Sequence, residues 1–224
     1  MRRREINRYL ADLGWRDAID LPDRTTSPKP APSPTRPAPS DLDDLDALTR
    51  GLQGCTLCRL SEKRTKVVVG EGHPRARIMF VGEGPGAEED RTGRPFVGQA
   101  GQLLDRMISA MGFGRDQVYI ANVVKCRPPG NRDPKDDEIA ACSPFLDRQI
   151  ELIRPAVLIA LGRFAANRLT GTEKALGALR GRWLHYKGVP LMSTYHPAYL
   201  LRNARDKRKV WDDLKLVLAK LAQS

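Results

Sequence analysis

The sequence predicts an α/β domain: a parallel sheet with helices on both faces, preceded by a tethered arm. Three observations carry this. Four short apolar runs have the length and composition of buried strands, amphipathic stretches separate them, and a proline-dense segment sets the first forty residues apart.

In chain order, residues 2–14 (RRREINRYLADLG) place Ile6, Tyr9, Leu10 and Leu13 on one helical face, with Gly14 as a stop. Residues 27–40 (SPKPAPSPTRPAPS) follow, and half of residues 28–39 are proline. Such a segment builds no core and reads as an extended tether. The boundaries are therefore an arm over 1–26, a linker over 27–40 and a domain over 41–224. The arm is either a dispensable extension or a docking peptide for a protein partner. Asp41 opens a further helix, with Leu42, Leu45 and Leu48 on one stripe, running into Gly51. Strands are expected over 77–82, 117–124, 156–162 and 189–195, and helices over 98–111, 136–153, 162–169 and 208–222. In sheets of this kind, functional residues gather where loops leave the carboxyl ends of the strands.

The net charge is +11, of which residues 1–40 supply +3, so the basic surplus belongs mainly to the folded body. That suits a polyanionic partner, nucleic acid being the commonest, although a soluble basic surface alone would explain it too. No run of 18 apolar residues exists, which speaks against a membrane span. Glu5, Asn7 and Arg8 interrupt any apolar signal-peptide core after Met1-Arg2-Arg3-Arg4, so the expectation is a cytoplasmic protein, and a monomer.

Each strand exit carries a candidate site. The first, Gly82-Glu83-Gly84-Pro85-Gly86-Ala87-Glu88-Glu89-Asp90, matches the loose G-x-G-x-x-[GA] dinucleotide pattern, but Pro85 removes a donor and three acids crowd the phosphate position. What remains is a loop where backbone can approach a ligand closely. Phe96, in the glycine- and proline-punctuated stretch 92–101, is either a core plug or a stacking platform. Asn122 offers a donor and an acceptor that could read a base edge, or it fills an ordinary ladder position. At the last exit, Pro197 keeps His196 out of helical geometry. Tyr199, Leu200 and Leu201 suit a wedge into a duplex or a helix start with core leucines, and Arg202 suits a phosphate.

Cys55-x-x-Cys58, Cys126 and Cys142 are poor disulfide candidates in a reducing compartment. Their asymmetric spacing fits four thiolates around a [4Fe–4S] cluster about as well as it fits zinc.

Taken together, Cys55-x-x-Cys58, GEGPGAEED, TGRPFVGQAGQLLD, NVVKCRPPGNRDP, Cys142 and HPAYLLRN resemble the family 4 (iron–sulfur) uracil-DNA glycosylases, over about residues 50–222 and in family order. The resemblance implies a three-layer α/β/α sandwich with a four-stranded parallel sheet. It implies a structural [4Fe–4S] cluster on Cys55, Cys58, Cys126 and Cys142. It makes Phe96 the ring that stacks on flipped uracil, Asn122 the amide that reads its edge and His196 the donor to a carbonyl oxygen. Gly82, Glu83, Gly84, Pro85, Gly86 and Glu89 become the loop around sugar and water. Glu83 or Glu89 would orient the water, or Glu89 would exclude thymine. Lys125, Arg127, Arg132, Arg202 and Arg205 would grip phosphates of single- or double-stranded DNA, and Leu200 or Leu201 would fill the gap left by the base. The related crosslinking family carries a Lys/Arg-rich insert ending in histidine after the second strand, and this sequence has none, so hydrolysis is expected. Family 5, with a wider base range, ranks second, since its first motif lacks Glu83. A non-catalytic iron–sulfur nucleic-acid module and a zinc-stabilised hydrolase are the remaining alternatives.

Overall fold

A computed structural model describes residues 44–223. The arm, the linker and the first residues of the helix expected at 41–51 lie outside the described residues. That helix is α1 (Leu45–Leu52). Asp44 caps it, its Oδ1 accepting from the Ala47 N–H at 2.6 Å.

The remaining elements are β1 (Glu71–Gly72), β2 (Ile78–Gly82), α2 (Ala87–Thr92), α3 (Gln99–Ala110), β3 (Tyr119–Asn122), α4 (Asp136–Ile153), β4 (Val157–Leu161), α5 (Gly162–Thr170), α6 (Leu176–Leu179), β5 (Trp183–Tyr186), β6 (Val189–Thr194), α7 (Pro197–Arg202) and α8 (Lys207–Leu221). The strands form one sheet in the order β1-β3-β2-β4-β6-β5. β3, β2, β4 and β6 run parallel, which is the expected four-stranded core. β1 and β5 pair antiparallel at the two edges, so the sheet has six strands rather than four. Two residues of β1 give no periodic signal. β5 joins β6 through Lys187 and Gly188, both at positive φ (48° and 82°), the backbone of a two-residue hairpin turn.

The inner strands are mostly apolar because both faces are covered, with polar residues at the ends of β3 (Asn122) and β6 (Ser193 and Thr194). Along β2, Ile78 and Phe80 face the layer of α3, α7 and α8, while Met79 and Val81 face α1, α4 and α5. All four are fully buried. The result is the expected α/β/α sandwich. α8 also fixes the end of β6. Its buried Asp213 accepts from Thr194 Oγ1 at 2.6 Å and takes a two-pronged contact from Arg180 at 2.9 and 3.1 Å. The strand ends Gly82, Asn122, Leu161 and Thr194 thus stand side by side, and the loops that leave them share one rim. Among the described residues, no helix is long and apolar enough to cross a membrane.

Candidate active site

A cleft of about 460 Å3 opens on that rim, and Phe96, Asn122 and His196 all line it. The Phe96 and His196 ring centroids lie 5.6 Å apart at 34°. Gly82 makes the convergence possible. A Cβ there would stand 2.4 Å from Asn122 Oδ1 and 2.5 Å from Phe96 Cζ, distances no side chain tolerates. Phe96 itself has a left-handed backbone, φ 50°, which is rare for an aromatic residue and marks a held conformation.

Asn122 ends β3 and is 1% exposed, yet its Oδ1 has no hydrogen-bond partner among the described residues. A buried, unpaired amide oxygen is costly and calls for an incoming donor. His196 precedes α7, and its Nδ1 accepts from the Ala198 N–H at 3.1 Å. The neutral ring therefore carries its proton on Nε2. Burial pushes its pKa down to about 4, against the opposing charge of Glu89, so the ring is neutral at pH 7.

The two loop acids part ways. Glu83 makes no side-chain hydrogen bond within the described residues and lines the cleft. Burial pushes its pKa up to about 7, helped by the charge of Asp133 and opposed by Arg163. Glu89 is occupied. Its Oε2 accepts from the Gly86 N–H at 3.1 Å, and its Oε1 from the N–H groups of Val97 and Gly98 at 2.8 and 2.9 Å. It staples the first loop to the Phe96 loop and also lines the cleft. Gly84, Pro85 and Gly86 line the cleft as expected. A Cβ at Gly84 would press to 2.8 Å from Val124.

The DNA-contact expectations divide as well. Arg202 is exposed at the cleft mouth, and Leu201 is 44% exposed beside it. Arg132 lines the cleft but is paired with Glu138 at 2.6 Å, and Arg127 donates to Asn131 Oδ1 at 2.8 Å. Three assignments are corrected. Lys125 is 1% exposed and reaches no phosphate, because its Nζ donates to the Asn122 carbonyl at 2.8 Å and to Gln149 Oε1 at 2.5 Å. Leu200 is 1% exposed, in the core under α7. Tyr199 stacks on Tyr195 at 4.9 Å and donates to Asp206, so it is no free wedge.

Cys55, Cys58, Cys126 and Cys142 line one small pocket on the α4 side of the sheet, with Leu52 and Val67. Two N–H donors face its sulfurs. Arg64 Nη1 donates to Cys126 Sγ at 3.3 Å and the Lys125 backbone N–H to Cys142 Sγ at 3.2 Å.

The sequence profile of the Uracil DNA glycosylase superfamily matches residues 69–215. The chain belongs to the uracil-DNA glycosylase superfamily. It is 48% identical over 177 residues to the Type-4 uracil-DNA glycosylase of Thermotoga maritima, covering 76% of this chain and 91% of that protein. It is 45% identical over 185 residues to the Type-4 enzyme of Sulfurisphaera tokodaii, covering 79% and 84%. A Type-5 uracil-DNA glycosylase from Pyrobaculum aerophilum is 34% identical over 171 residues, covering 67% and 73%. The ordering agrees with the resemblance read from the motifs, in which the family 4 pattern ranks ahead of family 5.

For this member of the superfamily, sequence reasoning missed Gly162, the first residue of α5. Its φ is +89°, and a Cβ would lie 3.0 Å from His196 Cβ. A glycine at the exit of the third predicted strand, where no site residue was expected, was the available signal. Gly162→Ala is expected to lose about 1–2 kcal/mol to the left-handed backbone and to push His196 out of line. Urea unfolding and the His196 ring signals in NMR spectra check both. Parental stability with unmoved signals would contradict the packing described.

Proposed function

We propose that this protein is a monofunctional uracil-DNA glycosylase. It hydrolyses the N-glycosidic bond of uracil in DNA, leaving an abasic site for base excision repair. One observation carries the reading: Asn122, whose buried Oδ1 has no hydrogen-bond partner among the described residues, lines a cleft together with an aromatic ring and a neutral imidazole. Uracil supplies what is missing. Its N3–H donates to Oδ1, one carbonyl accepts from Nδ2, the Phe96 ring stacks on its face, and the other carbonyl accepts from His196 Nε2–H. With the amide held in that orientation, cytosine would set its N3 acceptor against Oδ1 and its N4–H2 donor against Nδ2. The names of the Type-4 relatives support the same substrate.

The base must leave the stack to reach this cleft, at a cost of about a few kcal/mol, less from single strands or mismatches. Arg202 suits a phosphate at the mouth and Leu201 suits the vacated position, with Arg127 and Arg132 on the rim for the backbone. As the bond to N1 breaks, the sugar becomes oxocarbenium-like and negative charge grows on the base. His196 stabilises that charge by donation without giving up its proton. Glu83, ionised, takes a proton from water as the oxygen adds to the sugar.

The cysteine pocket fits a [4Fe–4S] cluster. All four donors are thiols, and N–H groups face two of the sulfurs, as suits thiolates carrying cluster charge. Cys55 and Cys58 after α1, Cys126 in the loop after β3 and Cys142 of α4 would hold the group, which would tie these three segments together and supply no bond-breaking chemistry. The reading extends to a soluble, cytoplasmic monomer whose arm, residues 1–26, docks a protein partner.

Single-turnover assays on uracil- and thymine-containing oligonucleotides test the activity. Uracil release with an abasic product is expected, and no release from thymine. His196→Ala should slow release by about 10²–10³-fold with DNA affinity little changed. Equal losses in both would count against its role. Because Glu83 acts as the carboxylate and its pKa is raised to about 7, the rate should climb as pH rises through 7 and then level. Neutral His196 should contribute no limb above about pH 4. Glu83→Gln should be slow and flat across this range. An unchanged limb near pH 7 in that variant would remove Glu83 from the water.

A further inference from the structure

Phe96 lines the cleft with its backbone held at φ 50°, and the holding contacts come from both sides of the turn, one of them from outside the cleft. On one side of the turn, Glu89 accepts the N–H groups of Val97 and Gly98. On the other side, two carbonyls converge on one guanidinium. Arg115 Nη1 donates to the Phe96 carbonyl at 3.1 Å, and Nη2 donates to the Pro95 carbonyl. Arg115 is itself fixed, its Nε donating to Glu71 Oε1 at 2.7 Å and its Nη1 to Asp105 Oδ1 at 2.7 Å. The Phe96 carbonyl also packs close against Gly101 of α3, where a Cβ would stand 1.9 Å from its oxygen.

Arg115 lies in a short turn before β3, and its side chain is only 20% exposed. It does not line the cleft. Its donors point along two carboxylates and two consecutive carbonyls at once, which a planar fork can do and an ammonium group cannot. We propose that Arg115 is a positioning residue for the base-stacking ring: its guanidinium fixes the left-handed turn at Phe96 and so sets the plane on which the flipped uracil lies. This rests on the reading of Phe96 as the stacking platform. Arg115 touches no substrate and acts only through the ring.

A double-mutant cycle on the full-length protein tests it, with single-turnover uracil release and DNA affinity as separate readouts. Arg115→Lys keeps the charge beside Glu71 and Asp105 but loses the fork. It is expected to slow release by about 10–10²-fold, the scale of a misplaced binding group, with DNA affinity unchanged. Phe96→Ala should slow release at least as much. In the Phe96→Ala background, Arg115→Lys should cost less than about 2-fold, because the ring it serves is gone. Losses that multiply would overturn the proposal, as would a fall in DNA affinity that matches the fall in rate. Full activity of Phe96→Ala alone would overturn the platform reading beneath it, a result distinct from multiplying losses. If circular dichroism shows Arg115→Lys unfolded, Asp105→Asn, which loosens the guanidinium without removing it, carries the same cycle, with a smaller loss that again vanishes without the ring.

Discussion

The site depends on one buried amide oxygen. Asn122 Oδ1 lies at the end of the inner strand β3 with no partner among the described residues, and such a group costs about 1–3 kcal/mol when left unpaired. Rotation cannot relieve it cheaply, because the surroundings fix the residue. Its backbone carbonyl accepts from buried Lys125 Nζ, its strand pairs with β2 at Gly82, and the Phe96 ring closes the space that a Gly82 side chain would take. The cost is relieved by a ligand that brings an N–H to that point. In the function proposed above, the imide edge of uracil would do so, tying fold to specificity through a single atom.

Around that atom, two titratable groups are driven apart by the same burial. His196 is pushed down to about 4 and Glu83 up to about 7. Burial disfavours the charged form of each, so the imidazole stays a neutral donor while the carboxylate sits near the point of ionisation. The tautomer follows from one local contact, the Ala198 N–H on Nδ1. A neutral donor and a poised base, each set by its place on the rim, are what the departure of an anionic base and the entry of water require.

Much of this was legible in the sequence, for physical reasons. The four inner strands announced themselves because burial on both faces makes them mostly apolar, and α4 was bounded as expected. The edge strands were not legible: Glu71–Gly72 is too short to show a period, and Trp183–Tyr186 carries polar residues on its open side. Phe96, Asn122 and His196 could be named because loops at strand exits carry function, and the motif resemblance then decided between platform and plug. What the sequence hid is reach. Lys125 and Leu200 looked available in one dimension, but each turns inward, the first to a carbonyl and a glutamine, the second into the core under α7. Glu89 showed no sign in the sequence of the three backbone N–H groups it accepts. Pairings across 8, 9 and 24 residues leave no periodic trace.

The most direct measurement is a crystal structure of the protein soaked with free uracil, the product of the proposed reaction. The expected result is a ring stacked on Phe96, its N3–H on Asn122 Oδ1 and a carbonyl oxygen on His196 Nε2. Uracil bound elsewhere, or a cleft that stays empty at saturating uracil while Asn122 Oδ1 finds a partner within the protein, would contradict it.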